Sequence, residues 1–389
     1  MPFWPPGLRA LAHAVLGLLL AALAPGAGAQ PQPPETAARQ HLLIDLSSGR
    51  VLAEREADTA LDPAAATTLM TALLVLDAQQ AGRLAAEAEL PVSPLARAER
   101  RPGVPLMYAE GRQRADALLQ GLAVLGARDA AVALAEGVAG SVDDFVAQMD
   151  RRAATLGLTA TVFRNPTGAP ASGQTSTPRD IARLAERLLA THTGYVALSA
   201  QRRLEHAGVR QDNPNLLLAR DASVDGLAVL SSDTGGQGVV ATAVRDTPAG
   251  PRRLLVVLAG AASREAAAGE AQALLNWGWQ AWDAVRLYAA GQPATTVPVW
   301  KGASAQVPLG AAGALVVTVP RGEGSRLRTT LTRTDPLVAP LVQGQAVGRI
   351  EVSTAAGTPV ASVPLVVQQP VPLAGVLGRA WDAIRLWIR

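Results

Sequence analysis

Residues 62–70 constrain the fold of this chain more than any other part of the sequence. They read Asp-Pro-Ala-Ala-Ala-Thr-Thr-Leu-Met and open an apolar run that continues to residue 78. Asp62 can cap the start of a helix, and Pro63 suits the first helical turn. The run therefore predicts a buried, strongly apolar helix.

Lysine is almost absent from the sequence. Lys301 is the only lysine, so every other basic side chain apart from the histidines is an arginine. Arginine stays protonated at any working pH and cannot act as a general base. The Ala-, Gly- and Arg-rich composition suggests biased codon usage, which would replace surface lysines with arginines. Such a bias alone does not normally remove a catalytic lysine, because that replacement abolishes the chemistry.

The composition excludes several functional classes. A length of 389 residues suggests two or three domains, and half of the residues are hydrophobic, enough for a sizeable core. The net charge of +3 comes from scattered arginines, so nucleic-acid binding is not expected. The absence of cysteine excludes disulfides and thiol catalysis. The four dispersed histidines form no His-Glu-x-x-His pattern, so neither a metal site nor a cofactor is expected.

The N-terminus has the pattern of an export signal. Arg9 precedes an apolar run over 14–24, which is too short for a comfortable membrane span. Ala27-Gly28-Ala29 then forms a small-x-small cleavage site. The sequence predicts a signal peptide over 1–29 and a linker over 30–40. Export without cysteine fits a bacterial periplasm.

Hydrophobic periodicity divides the rest of the chain into two domains and a tail. A first domain over 41–288 begins with a hairpin at 41–54, and its later helices and strands are predicted at 116–139, 142–157, 176–189, 238–244, 253–259 and 264–282. The composition changes near Gln292. An all-β, sandwich-like domain over 292–370 follows, with short strands at 297–300, 314–320, 327–332, 347–352 and 359–367.

The last segment, 373–389, is amphipathic at helical spacing. Its arginines share one face, and its apolar face carries Leu377, Trp381, Ile384, Trp387 and Ile388. Two tryptophans opposite arginines fit a helix lying in a membrane interface. The alternative is a terminal helix docked on the body of the protein.

Taken together, these features resemble the D-alanyl-D-alanine carboxypeptidases, the serine-type peptidases among the low-molecular-mass penicillin-binding proteins. The resemblance runs from about residue 40 to the C-terminus. The matching pieces are Leu43-Ile-Asp-Leu-Ser-Ser-Gly-Arg-Val-Leu-Ala, Asp62-Pro-Ala, Leu119-Gln-Gly-Leu, Asp129-Ala-Ala-Val-Ala-Leu-Ala, Ala139-Gly-Ser, Leu156-Gly-Leu, Phe163-Arg-Asn-Pro-Thr-Gly, Ser176-Thr-Pro-Arg-Asp, Val224-Asp-Gly-Leu and Leu275-Asn-Trp-Gly. The resemblance implies the α/β (α+β) fold of penicillin-binding and serine β-lactamase-like transpeptidases, then a small all-β domain and a C-terminal amphipathic helix.

The chemistry of that family uses three motifs, and this chain departs from all of them. A Ser-x-x-Lys supplies the nucleophile and its base, a Ser-x-Asn relays a proton, and a Lys-Thr-Gly binds the substrate carboxylate. The corresponding positions here are Ala65 and Thr68, then Gly126 and Arg128, then Ala228, Val229 and Leu230. A methyl group cannot attack a carbonyl, and a hydroxyl is not a base near neutral pH.

Four nearby residues are weighed as replacements. Thr67 neighbours the lost nucleophile, but on a helix it should point elsewhere. Ser231 and Ser232 follow the third motif and are interpreted as turn residues. Arg128 replaces an amide and is a candidate for binding a substrate carboxylate, although it could equally fill the emptied pocket.

The preferred interpretation is an exported pseudoenzyme that is periplasmic and peripherally attached to the inner membrane. Its partners would be peptidoglycan stem peptides or cell-wall synthesis proteins. One alternative is a working serine-type D-Ala-D-Ala carboxypeptidase that trims peptidoglycan pentapeptides with unconventional residues. Another is a structural protein that interacts through its β-domain surface.

Overall fold

We analysed a computed structural model, which describes residues 31–99, 108, 111–232 and 235–375. The predicted signal peptide and the residues from 376 onward, which carry the predicted apolar face of the tail, lie outside the described residues. In the described part, no helix is both long enough and apolar enough to cross a membrane. The fold prediction is confirmed for the rest of the chain: a mixed α/β domain precedes an all-β domain.

The first domain alternates between strands and helices. Its strands are β1 (Gln40–Asp45), β2 (Arg50–Arg55), β3 (Glu89–Pro91), β4 (Arg112–Arg114), β5 (Arg203–His206), β6 (Val209–Asp212), β7 (Val224–Ser232), β8 (Gly236–Thr247) and β9 (Gly250–Ala261). Its helices are α1 (Thr67–Gln80), α2 (Pro94–Ala98), α3 (Ala115–Leu125), α4 (Arg128–Ala139), α5 (Val142–Thr155), α6 (Pro178–Thr191), α7 (Tyr195–Ser199), α8 (Leu217–Arg220) and α9 (Arg264–Ala281).

Helices cover both faces of the main antiparallel sheet, which has the strand order β2-β1-β9-β8-β7. Successive side chains of a strand point to opposite faces. Leu42 accordingly belongs to a core that includes residues of α1, α3, α4, α5 and α6, whereas Leu43 belongs to a core that includes residues of α9. The two faces therefore enclose separate cores, and α1 lies in the larger one. Strand β7 is left at the sheet edge.

The predicted apolar helix begins later than its sequence pattern suggests. Residues 64–66 form a 3-10 turn, and the α-helix starts at Thr67. Asp62 still caps the entry, because its Oδ1 accepts a hydrogen bond from the Ala64 N–H at 3.0 Å. The helix is buried along most of its length, as expected from a run with no polar face.

The second domain consists of strands. They are β10 (Trp282–Tyr288), β11 (Thr295–Pro298), β12 (Gln306–Gly310), β13 (Leu315–Pro320), β14 (Arg328–Arg333), β15 (Ala346–Ser353) and β16 (Pro359–Val367). Five of them form a sheet in the order β11-β12-β16-β15-β14, and β10 pairs with β13. The sequence patterns missed β10 and β12. Strand pairing in the second domain therefore begins at Trp282, before the composition change near Gln292.

A buried polar network joins the two domains. Asp45, at the end of β1, is fully buried, and its Oδ2 accepts from Arg252 Nε and from Thr318 Oγ1, both at 2.7 Å. Thr318 belongs to β13 and also contacts Ser48 and Arg50. Arg50 in turn lies over the Trp282 ring, 4.7 Å from its centroid. These contacts hold the β-domain against the β1–β2 end of the main sheet.

Candidate functional site

The entry to α1 is held from two sides. Asp62 accepts a second hydrogen bond from the Ser232 hydroxyl on β7 at 2.8 Å, which ties the helix to the edge strand. Ala64 has a φ of +44°, a conformation that costs a non-glycine residue on the order of 1 kcal/mol. Gly168 packs so closely that a Cβ built on it would lie 1.9 Å from the Ala64 carbonyl oxygen. A strained backbone of this kind is typical of a functional site.

The hydroxyls on the first turn of α1 are engaged or buried. Thr68 stands at the lysine position of the first motif, is 2% exposed, and donates from Oγ1 to the Ala65 carbonyl at 2.7 Å. Thr67 is fully buried, and its hydroxyl has no partner in the described part of the chain. Thr67 does not line the cavity in front of Ala65.

The second motif position connects two helices. Gly126 ends α3 with a φ of +60°, and its backbone approaches Ala65 closely enough that a Cβ there would lie 3.9 Å from the Ala65 Cβ. Arg128 is the first residue of α4. The next residue, Asp129, is buried and accepts from the Tyr108 N–H at 2.7 Å and from the Ala130 N–H at 2.9 Å. These bonds fix the start of α4 beside the Ala65 methyl group.

The third motif position lies on edge strand β7. Ala228 and Val229 line the cavity, whereas Leu230 does not line it and is only 3% exposed. Ser231 and Ser232 are the last residues of β7, so the interpretation of these serines as turn residues is wrong. Strand pairing to β8 persists through Ser232, which pairs with Gly236, and Ser231 lines the cavity.

One cavity of about 240 Å³ therefore collects nearly all of the motif positions. Helix α1, the α3–α4 junction and strand β7 bring together Ala65, Thr68, Gly126, Arg128, Ala228 and Val229. The sequence predicted these positions from a resemblance, and the fold places them around a common space. Leu230 is the exception.

The cavity also holds three charged residues that the sequence patterns missed, Glu99, Asp212 and Arg264. Arg264 is the first residue of α9, just as Arg128 is of α4. A cation is unfavourable at a helix N-terminus. An arginine directly after a predicted N-cap is therefore unusual, and this is the sequence signal that could have identified Arg264. Burial raises the pKa of the Glu99 carboxyl, and the Arg128 charge opposes part of that rise.

Neither arginine is paired within the described residues. Arg128 and Arg264 make no hydrogen bond or ion pair there, although the nearby Glu99 carboxylate interacts with Arg128 through its charge. Two guanidinium groups and two helix N-termini meet at one cavity, and both kinds of group attract anions. Of the acidic residues in the same lining, Asp212 is paired with Arg203, and Asp129 accepts from two backbone N–H groups. The two arginines therefore remain available to a carboxylate.

The cavity offers few groups for covalent chemistry. Its hydroxyls belong to Thr68, which is hydrogen-bonded to the backbone, and to Ser231, which is bonded to Gln237. Lys301 lies far along the chain in the β-domain, where its carbonyl accepts from Ala374. Among the described residues, no group of three or more His, Asp or Glu side chains could hold a metal ion.

Comparisons with known proteins agree with this architecture. Residues 27–262 match the family of D-alanyl-D-alanine carboxypeptidases, and residues 282–373 match the C-terminal domain of penicillin-binding protein 5. The chain is 35% identical over 389 residues to D-alanyl-D-alanine carboxypeptidase DacC of Escherichia coli, covering 97% of this chain and 96% of that protein. It is 31% identical to the E. coli carboxypeptidase DacA, covering 92% and 89% of the two chains.

Solved structures give the same result. Penicillin-binding protein 5 from Haemophilus influenzae superposes with a TM-score of 0.81 at 27% identity, covering 88% of this chain and 99% of that one. Penicillin-binding protein 6B from E. coli superposes with a TM-score of 0.71 at 29% identity, covering 87% and 98%. From its sequence, its two domains and the position of its cavity, this chain belongs to the D-alanyl-D-alanine carboxypeptidase family.

Proposed function

We propose that this chain is an exported, non-catalytic member of its family, which binds peptidoglycan stem peptides or cell-wall synthesis proteins. The observation that carries the proposal is the cavity shared by the motif positions. At its centre stand the methyl group of Ala65 and the backbone-bonded hydroxyl of Thr68. In a serine hydrolase, loss of the nucleophile or its base lowers kcat by about 10⁶.

The charges that remain around the cavity indicate what it binds. Arg128 and Arg264 face the same space without a salt-bridge partner among the described residues. A peptide ending in a carboxylate would offer each guanidinium a charge-assisted hydrogen bond. The bound anion would also offset the unfavourable interaction between each arginine and the positive end of its helix dipole. We therefore propose that the C-terminal carboxylate of a stem peptide docks here, next to edge strand β7.

Replacing Arg128 by Gln is expected to weaken peptide binding. Loss of one charged hydrogen bond should raise the Kd for a pentapeptide ending in D-Ala-D-Ala by about tenfold. Isothermal titration calorimetry measures this, with Arg326→Gln in the β-domain as the control that should change nothing. A pentapeptide with a C-terminal carboxamide should bind the unaltered chain more weakly than the acid binds Arg128→Gln, because the amide loses its charge toward both arginines while the variant keeps Arg264. Equal affinity for the acid and the amide would rule out carboxylate recognition.

We further propose that the chain works in the periplasm, held on the inner membrane by its C-terminal segment. The proposal is supported by the export pattern of 1–29 and by the apolar face that carries Leu377, Trp381, Ile384, Trp387 and Ile388. An amphipathic helix with arginines on its polar face binds anionic lipid reversibly rather than spanning the bilayer.

Removal of this segment is expected to abolish flotation. The mature full-length chain should rise with vesicles of anionic lipid in a density gradient, whereas a version ending at Pro372 should stay at the bottom. Vesicles of neutral lipid serve as the control and should retain less protein, because the arginines then lose their attraction. Equal flotation of both versions would show that the terminal segment is not the anchor.

The rival proposal is a working carboxypeptidase that uses unconventional residues. Ser231 is its best candidate nucleophile, because its side chain is exposed and lines the cavity. Its recorded partner is Gln237, which cannot act as a base. The non-catalytic proposal is therefore favoured.

A further inference from the structure

One surface of the β-domain is apolar on the outside as well as on the inside. Between β14 and β15, residues 336–342 alternate strictly between buried and exposed positions. The buried residues Leu337, Ala339 and Leu341 join the core of the domain. The exposed residues would normally be polar, yet they are Pro336, Val338, Pro340 and Val342.

A second exposed apolar segment lies directly beside the first. Leu341 pairs with Val371 in an antiparallel bridge, with N–H to carbonyl distances of 2.9 Å in both directions. The bridge brings 340–342 alongside 370–372, and Pro340, Val342, Pro370 and Pro372 are all exposed. We name the combined surface the apolar end; its members are Pro336, Val338, Pro340, Val342, Pro370, Pro372 and Leu373.

The exposure of the apolar end is large for aliphatic side chains. Val342 is 63% exposed, Leu373 45% and Val338 38%. Leu95 in the first domain is the fourth exposed large hydrophobic residue among those the structure describes, and it lies apart from the others on α2. Isolated apolar residues on a surface are normal, but a contiguous patch marks a contact with a partner or a membrane.

The position of the apolar end indicates which of these it contacts. The chain leaves it through Ala374, whose N–H donates to the Lys301 carbonyl at 2.8 Å, and continues into the rest of the amphipathic segment 373–389. Leu373 and Leu377 are four residues apart, so even an extended chain separates them by at most about 14 Å. A bilayer that takes up the tail must therefore approach the apolar end. Neither 336–342 nor 370–375 contains an acidic residue that anionic lipid would repel.

We propose that the apolar end of the β-domain rests on the lipid surface and forms a second membrane contact beside the tail. This inference rests on the proposed attachment through the C-terminal segment and adds to it. A contact through the tail alone would let the domain rotate above the bilayer. Two adjoining contacts fix which end of the β-domain faces the lipid, and they thereby set the orientation of the cavity in the first domain relative to the membrane.

The absence of cysteine makes a direct test simple. Val342→Cys and, as the matched control, Leu95→Cys each create a single site for an environment-sensitive nitrobenzoxadiazole label. Both variants are made in the mature full-length chain and mixed with phosphatidylglycerol–phosphatidylcholine vesicles. The label at position 342 is expected to shift to the blue and to be quenched by doxyl-labelled lipid, whereas the label at position 95 should do neither.

Other outcomes separate this inference from the proposed anchor. If the protein floats while the label at position 342 still reports water, the apolar end does not touch lipid, and the anchor proposal survives. If that label is already shielded without vesicles and becomes exposed when the chain ends at Gly375, the tail itself covers the apolar end and the inference is wrong. If the full-length chain does not float at all, both proposals fail.

Substitution provides an independent measurement. The double variant Val338→Asp, Val342→Asp places two charges on the apolar end and should raise the vesicle dissociation constant of the full-length chain about tenfold. Leu95→Asp should leave that constant unchanged, because Leu95 lies on α2 of the first domain and is not part of the apolar end. Equal constants for the unaltered chain and the double variant would contradict a lipid contact at this surface.

Discussion

Asp45→Ala is expected to lower the free energy of unfolding by about 3–5 kcal/mol, because it leaves a buried charge without its partner. Arg252 is 3% exposed, and its Nε donates to the Asp45 carboxylate at 2.7 Å. Removal of that carboxylate leaves the guanidinium charge in the core without a counter-charge, and the Thr318 hydroxyl of the β-domain keeps only its bond to Ser48. Urea unfolding followed by tryptophan fluorescence measures the loss, since Trp282 lies beside the network.

Asp212→Ala provides the matched control. Asp212 pairs with Arg203 at 2.6 Å, almost the same distance, but its side chain is 72% exposed. Water screens an exposed pair, so this substitution should leave the unfolding midpoint nearly unchanged. The two variants differ in burial and in the bonds lost, since Asp45 also accepts from Thr318 and from the Ser47 N–H. If Asp45→Ala proved no more damaging than Asp212→Ala, the buried network would not be what joins the domains.

The double variant Ala65→Ser, Thr68→Lys is expected to remain without carboxypeptidase activity. It restores a nucleophile and an amine at helical spacing, but the second and third motif positions stay as they are. Gly126 provides no hydroxyl to relay a proton, and Ala228 offers no cation to orient the substrate. We expect release of D-alanine from a pentapeptide to stay at the level of the unaltered chain, about 10⁶ below a competent serine hydrolase.

A variant with all motif positions restored provides the comparison. It adds Gly126→Ser, Arg128→Asn, Ala228→Lys, Val229→Thr and Leu230→Gly to the double variant. Its D-alanine release should exceed that of the double variant, although serine at position 126 must adopt a φ of +60°, at a cost of about 1 kcal/mol. Equal rates for the two variants would mean that the second and third motifs are dispensable in this chain.

The architecture was predictable where hydrophobic periodicity is strong. The apolar run after Asp62, the hairpin at β1 and β2 and the strands β8 and β9 follow from patterns that tertiary packing reinforces. Strand β10 was missed because it follows α9 without a loop, so the helical pattern extends into Trp282. Strand β12 was missed because its sequence, Gln-Val-Pro-Leu-Gly, includes the strand-disfavouring residues Pro308 and Gly310.

The site was only partly predictable. The lost motifs could be located by comparing spacing with a family pattern, and the fold then brought six of those positions together. Glu99, Asp212 and Arg264 had no such pattern, because they reach the cavity from separate elements far apart in the sequence. The backbone bond of Thr68 and the positive φ of Ala64 depend on local geometry that residue types alone do not specify.

The central claim is that the family's covalent chemistry is absent from this chain, and labelling by a fluorescent penicillin tests it most directly. Acylation requires a nucleophilic hydroxyl where Ala65 stands and a base where Thr68 stands. The purified mature chain is incubated with the probe and separated on a denaturing gel, beside an active family member as the positive control. We predict no labelled band from this chain. A saturable band that unlabelled penicillin competes away would contradict the account.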